Sequence, residues 1–173
     1  MSSPSKSVGA AFILVAAIVL AVSGCGELDH PSSPSSGTDN IRLFRESKVI
    51  LGSDHVVKLV RADEGGKVSL NRHTVIIPPG ALKNDTEISI SEPDPGYVLA
   101  DFGPEELRFS RPVELAICYR ELDLGDVSED ALTIYWYNSR NKRWVDLNGN
   151  VDKSGQIVRA WTDHFSRYAL SDH

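Results

Sequence analysis

The sequence predicts an all-β fold: an antiparallel β-sandwich of about nine to eleven short strands, preceded by a signal peptide and a flexible tether. Two observations predict it. From Ile41 onward, short apolar or alternating segments recur without an amphipathic helical stripe of useful length. Proline and glycine turns, such as IIPPGAL at 76–82, separate these segments at the spacing of β-hairpins.

Each predicted strand is a run of apolar, β-branched or aromatic residues that ends at a turn signal. Ile88 and Ile90 alternate with polar neighbours, which places both isoleucines on one face of a strand. Pro112 separates two of the runs, and GDVSEDAL is expected to form one helical turn. The predicted strands are HVVKLVRA, KVSL, HTVIIP, TEISISEP, ELRFS, PVELAICY, ALTIYWYN, RWVDL, GQIVRAWT and RYALS.

The amino terminus has the organisation of an exported lipoprotein. Lys6 precedes the apolar run at 8–22, which is too short for a comfortable membrane span. The run ends in VSGC, which resembles the bacterial lipobox, so Cys25 is the predicted site of acylation. The domain boundaries that follow are a signal peptide at 1–24, the lipidated cysteine with a Ser/Pro-rich tether at 25–40, and a single β-sandwich domain at 41–173.

The net charge and the predicted location limit the classes of partner that we expect. The net charge is −6 and the basic residues are scattered, which argues against nucleic acid. The expected partners are the membrane, through acylated Cys25, and an unidentified envelope protein or polymer. The chain is expected to be exported and anchored to a bacterial membrane. In the Gram-negative lipoproteins that the VSGC motif resembles, an aspartate after the cysteine usually retains the protein at the inner membrane, so the resemblance implies that Gly26 favours the outer membrane if the host is Gram-negative.

The order of motifs in the folded part resembles the ZU-five domain of ankyrins, netrin receptors and tight-junction scaffolds. The matching segments are GGKVSL at 65–70, VIIPPGAL at 75–82, EISI at 87–90 and FGPEELRFSRPVELAI at 102–117. The tail from RWVDL to RYAL is similar to the segment that follows this module in bacterial relatives. The resemblance implies a β-sandwich with a binding or scaffolding role, and it predicts that the protein is not an enzyme.

The same resemblance raises one chemical alternative. Some relatives of this module cleave their own backbone at His-Phe-Ser, and His164, Phe165 and Ser166 match those positions. There Ser166 would be the nucleophile, His164 the base, and the cut would follow Phe165. The favoured interpretation is structural: His164 and Ser166 share one face of a strand, and Phe165 fills the core. A hydrolase triad built on Asp163, His164 and a distant serine is disfavoured, because neighbours on a strand point apart.

The sequence contains two further candidate sites, an aromatic cluster and a run of alternating oxygen-bearing side chains. Tyr135 and Tyr137 alternate with Trp136, so the tyrosines could form part of a carbohydrate platform with Trp144 and Trp161 while Trp136 enters the core. A calcium turn is the weaker interpretation of the alternating oxygen ligands of 146–152, because the pattern lacks the glycine and glutamate of an EF-hand. His73 is expected in a solvated strand or turn. No cofactor and no metal site is predicted.

Overall fold

A computed structural model describes residues 37–46, 54–105 and 107–173 of the chain. These residues form two antiparallel sheets packed face to face, with a core of aliphatic and aromatic side chains between them. The predicted all-β sandwich is confirmed. The strands are β1 (His55–Val60), β2 (Gly66–Leu70), β3 (His73–Ile77), β4 (Thr86–Ser91), β5 (Leu99–Gly103), β6 (Arg108–Cys118), β7 (Leu132–Asn138), β8 (Arg143–Asp146), β9 (Asn150–Asp152), β10 (Ile157–His164) and β11 (Arg167–Asp172).

The chain passes repeatedly between the two sheets. The six-stranded sheet has the order β1-β4-β5-β11-β7-β8, and the five-stranded sheet has the order β2-β3-β6-β10-β9. β11, the last strand in the sequence, therefore lies in the middle of the six-stranded sheet between β5 and β7, whereas β10, which precedes it, belongs to the other sheet.

Local sequence explains where the strands start and stop. Ile88 and Ile90 are fully buried, as their alternation predicts. β3 ends at Ile77 because two prolines follow, and Gly80 turns the chain with a φ of +75°. Gly65 has a φ of +69°, and a Cβ there would lie 2.2 Å from the carbonyl oxygen of Ile77, so no other residue fits. The expected helical turn is a 3-10 turn at Glu129–Ala131.

Pro112 does not divide a strand, which corrects the sequence expectation. β6 is continuous through it. The pairing with β3 begins only at Glu114, and β10 slips its register opposite this stretch, from Thr162 facing Val113 to His164 facing Arg108. Pro112 therefore lies beside a bulge, where a missing backbone donor interrupts no regular ladder.

The segment 37–46 lies against the six-stranded sheet. Thr38 forms a bridge with Trp144 of β8, and Arg45 forms one with Tyr97, just before β5. Phe44 is buried in the core between these two attachments. We call residues 37–46 the strap; its first four residues belong to the segment that the sequence assigns to the tether.

Candidate functional site

The His-Phe-Ser tripeptide forms the corner at which the chain leaves one sheet and enters the other. His164 is the last residue of β10, and β11 begins directly after Ser166. The Phe165 amide donates to the carbonyl of Leu107, and the carbonyl of Ser166 accepts from the Phe102 amide. The corner is therefore tied to both sheets by backbone hydrogen bonds.

Phe165 points into the core, as predicted. It is 1% exposed, and its ring lies 4.8 Å from that of Phe109 and 5.7 Å from that of Phe102. Because these two partners belong to different sheets, Phe165 fastens the sheets together at this end of the sandwich.

His164 and Asp163 are in contact, which corrects the expectation that their side chains point apart. The Nδ1 atom of His164 lies 2.7 Å from Oδ1 of Asp163. The cause is the bulge in β10, which breaks the regular alternation between Thr162 and His164. This hydrogen bond lowers the pKa of Asp163. The ring centroids of His164 and Trp136 lie 4.5 Å apart in a T-shaped arrangement.

The hydroxyl of Ser166 is engaged by the backbone. Its Oγ donates to the carbonyl of Tyr137 across 2.7 Å, so its proton is not directed to His164. The carbonyl of His164 accepts from the hydroxyls of Tyr168 and Thr162. The polar groups of the corner thus satisfy one another in this structure.

A surface groove runs past the corner. It consists of two adjoining hollows of about 160 and 370 Å³ that share Glu105, Tyr137, Ser139 and Ser166. We call it the corner groove. It brings Tyr137 of β7 together with His164 and Ser166, which come much later in the chain; the sequence singled out all three residues.

Charges of both signs border the corner groove. Arg108 lies 3.5 Å from Asp163, and Arg167 pairs with Asp101 at 2.6 Å, which raises the pKa of the Arg167 guanidinium. Glu105 and Arg140 complete the charged lining. Such mixed charge suits a polar ligand or polypeptide better than a polyanion.

Tyr135 lies outside this groove, which corrects the expected tyrosine platform. It is 8% exposed, its hydroxyl donates to the Asp172 carbonyl across 3.4 Å, and burial raises its pKa. Trp136 packs against the core as expected, whereas Trp161 is 59% exposed on the five-stranded sheet. The aromatic residues therefore do not share one binding face.

The alternating oxygen ligands of 146–152 form a hydrogen-bonded turn. Asp146 accepts from the Thr133 hydroxyl and the Asn148 amide, and its other oxygen lies 2.9 Å from Nδ1 of His173. Asp152 accepts from Ser154 and Gly155. Within 37–46, 54–105 and 107–173, no three His, Cys, Asp or Glu side chains are grouped to hold a metal ion.

His73 is fully buried, which corrects its assignment to a solvated strand. Its Nδ1 lies 2.9 Å from Oε1 of Glu92, and Asn71 donates to Oε2 of the same carboxylate. Burial opposes ionisation of Glu92, but the bonds from His73 and Asn71 outweigh it and lower the pKa. His73 is a single histidine at the start of an alternating strand, and no motif in the sequence indicates that Glu92 is its partner.

Cys25 lies outside the described residues, and Cys118 is a free, half-buried thiol. Among the described residues, no helix has the length and apolar character needed to cross a membrane. The chain matches no protein-family model and no curated protein sequence. The ZU-five resemblance therefore stays a prediction.

Proposed function

We propose that this chain is a lipid-anchored envelope protein, exported and acylated at Cys25, whose β-sandwich is a non-enzymatic interaction module. The outer membrane is the favoured location if the host is Gram-negative. The lipobox-like VSGC supports the anchor. The partner is an envelope protein or polymer that binds at the corner groove.

The corner groove is the proposed binding site because its lining side chains are already fixed in position. Tyr137, His164 and Ser166, brought together from separate elements, line an open hollow, and hydrogen bonds hold the His164 ring and the Ser166 hydroxyl. Fixed rings and fixed hydrogen-bonding groups lose little conformational entropy when a ligand docks on them. The corner groove therefore suits a partner that binds to it without rearranging the protein.

The anchor is tested by fractionation of cells that express Cys25→Ser. We expect the wild-type protein to carry acyl chains and to remain with membranes, whereas the variant leaves them, because the acyl chains supply most of the membrane affinity. Cys118→Ser is the matched control and should fractionate like the wild type. Equal membrane retention of Cys25→Ser would refute the anchor.

The groove is tested by photo-crosslinking in cells. A photoreactive amino acid at Tyr137 should capture a partner, whereas the same label at exposed Glu87 should not. Replacement of Arg108 by Ser should weaken the Tyr137 adduct, because Arg108 lines the same hollow. Identical capture from both labelled positions would argue against the groove.

Self-cleavage is the second candidate, favoured by the contact between Asp163 and His164 beside Ser166. The Ser166 oxygen would attack the carbonyl carbon of Phe165, the Phe165–Ser166 peptide bond would break, and water would hydrolyse the resulting ester. The fragment 166–173 would be released only on denaturation, since β11 is paired on both sides. The interaction-module proposal expects an intact chain by mass spectrometry under denaturing conditions. A fragment that is lost in Ser166→Ala would instead establish cleavage.

A further inference from the structure

The hairpin between β7 and β8 concentrates positive charge on an acidic protein. Arg140, Lys142 and Arg143 are exposed within residues 138–143, although the chain as a whole has a net charge of −6. We call residues 138–143 the basic hairpin. Arg143 pairs with Asp39 at 3.0 Å, so Arg140 and Lys142 supply the net charge of this tip.

The strap enters the folded body at the base of this hairpin. Thr38 and Trp144 exchange two backbone hydrogen bonds of 2.8 Å, and Arg143 donates to the carbonyl of Gly37. The point nearest to the proposed anchor along the chain is therefore next to the most basic loop.

The connecting chain is short. Residues 26–37 separate Cys25 from Thr38. A chain of that length spans at most about 45 Å even when fully extended. Charges attract an anionic surface within a Debye length of about 8–10 Å at physiological salt. The connection is therefore short enough to keep the basic hairpin near the membrane, and long enough to let it reach the head groups.

Aromatic side chains adjoin the basic residues. The rings of Tyr137 and Trp144 lie 5.2 Å apart, and both residues are half-buried at the hairpin. A tryptophan next to basic residues, such as Trp144, suits the boundary between head groups and water, since its ring has an apolar body and a polar end.

We infer that the basic hairpin docks on anionic phospholipid head groups and orients the sandwich on the membrane. This inference rests on the proposed acylation of Cys25. Each basic residue near an anionic leaflet contributes about fivefold in affinity, so Arg140 and Lys142 together bias the orientation by more than about tenfold. Docking at β8 leaves the opposite sheet edge, formed by β1 and β2, toward the aqueous side.

The first test uses the purified, acylated full chain bound to vesicles of phosphatidylcholine, with or without phosphatidylglycerol. Trypsin cleavage after Arg140 and Lys142 should slow by about tenfold on the anionic vesicles, and high salt should restore it. Cleavage after Lys83, in the β3–β4 loop, is the internal control and should not change. Equal cleavage of the hairpin on both vesicles would overturn the inference.

The second test compares Arg140→Ser/Lys142→Asn with Lys67→Ser/Lys83→Ser. Asparagine suits position 142, where φ is +56°. Quenching of tryptophan fluorescence by brominated phosphatidylglycerol should fall in the hairpin variant and persist in the control, because Trp144 adjoins the hairpin. Unchanged quenching in the hairpin variant would overturn the inference.

The two proposals fail in different ways. If the protein purified from the cells that express it carries no acyl chain on Cys25, and binds neither kind of vesicle, both the anchor and the orientation are refuted. Acylated protein that binds both vesicles, with the hairpin equally cleaved on each, would refute the orientation alone.

Discussion

Tyr168 shows how one buried hydroxyl fixes the corner between the sheets. The residue is fully buried, its hydroxyl lies 3.0 Å from that of Thr162, and it donates to the carbonyl of His164. Burial raises its pKa, since the phenolate would lose its hydration. The position of His164 in the corner groove therefore depends on a hydroxyl that faces the core.

Tyr168→Phe should destabilise the fold by about 1 kcal/mol, because it removes a buried hydrogen-bonding group from Thr162 and His164. Tyr135→Phe is the matched control: its hydroxyl forms a single 3.4 Å bond, and its loss should change the free energy of unfolding by less than about 0.5 kcal/mol. Urea denaturation measures both. Equal losses would contradict the role assigned to Tyr168.

Glu92 should make stability depend on pH. Its pKa in the folded protein is below its ordinary value of 4.5, so its ionised form stabilises the fold at higher pH. That contribution is present above the unfolded pKa and is lost as the pH falls through the lowered folded value. Glu92→Gln should cost about 1 kcal/mol at pH 7, and its difference from the wild type should shrink on acidification below pH ~4.5.

Urea midpoints from neutral to acid pH test this, with the exposed Glu87→Gln as the control. The control should follow the wild type throughout. If the urea midpoints of Glu92→Gln and the wild type instead differ by the same amount at every pH, the Glu92 carboxylate does not stabilise the fold through its charge.

The burial of a single side chain could be predicted from the sequence, whereas contacts between side chains could not. Phe165 lies in the core as predicted, although it stands at the corner between β10 and β11 and not within the continuous strand on which the prediction relied. The contact between His73 and Glu92 was missed because strand pairing across many residues creates it. The contact between Asp163 and His164 was missed because a bulge depends on the partner strand.

At the scale of elements, turns were more predictable than strand continuity. The prolines after Ile77 end β3 because they remove backbone donors wherever the strand lies. Pro112 is tolerated within β6 because of what lies opposite it. The corner groove likewise could not be predicted, since Tyr137 reaches Ser166 only through the order β11-β7 in the completed sheet.

The strap offers an element-scale test. Phe44 is 4% exposed, and its carbonyl accepts from the Val98 amide. Phe44→Ala should cost about 3 kcal/mol in unfolding free energy and expose residues 37–46 to proteases, because it leaves a cavity under the strap. Leu43→Ala, at a half-buried neighbour, should cost clearly less. Similar losses in the two variants would show that Phe44 does not fasten the strap.

At the scale of the whole molecule, the described strands leave β1 and β2 as neighbouring edges of the two sheets. Val57 and Leu59 of β1 are 51% and 59% exposed, a combination that invites pairing with another chain. Lys58 lies between them, and its ammonium donates to the Lys67 carbonyl on β2. A charged side chain turned across the edge is a recognised protection against edge-to-edge association.

Lys58→Met should therefore raise the apparent mass of the protein in solution, in a concentration-dependent manner. The variant keeps an unbranched stem but removes the charge from an apolar edge strand, so that pairing between copies no longer buries an ammonium group. Light scattering during size-exclusion chromatography measures the mass. Lys67→Met removes an exposed charge from β2 while keeping the backbone carbonyl that Lys58 contacts, and it should behave like the wild type. If Lys58→Met has the same apparent mass as the wild type at every concentration, Lys58 does not keep the β1 edge unpaired. The shape of the edge would then be the cause.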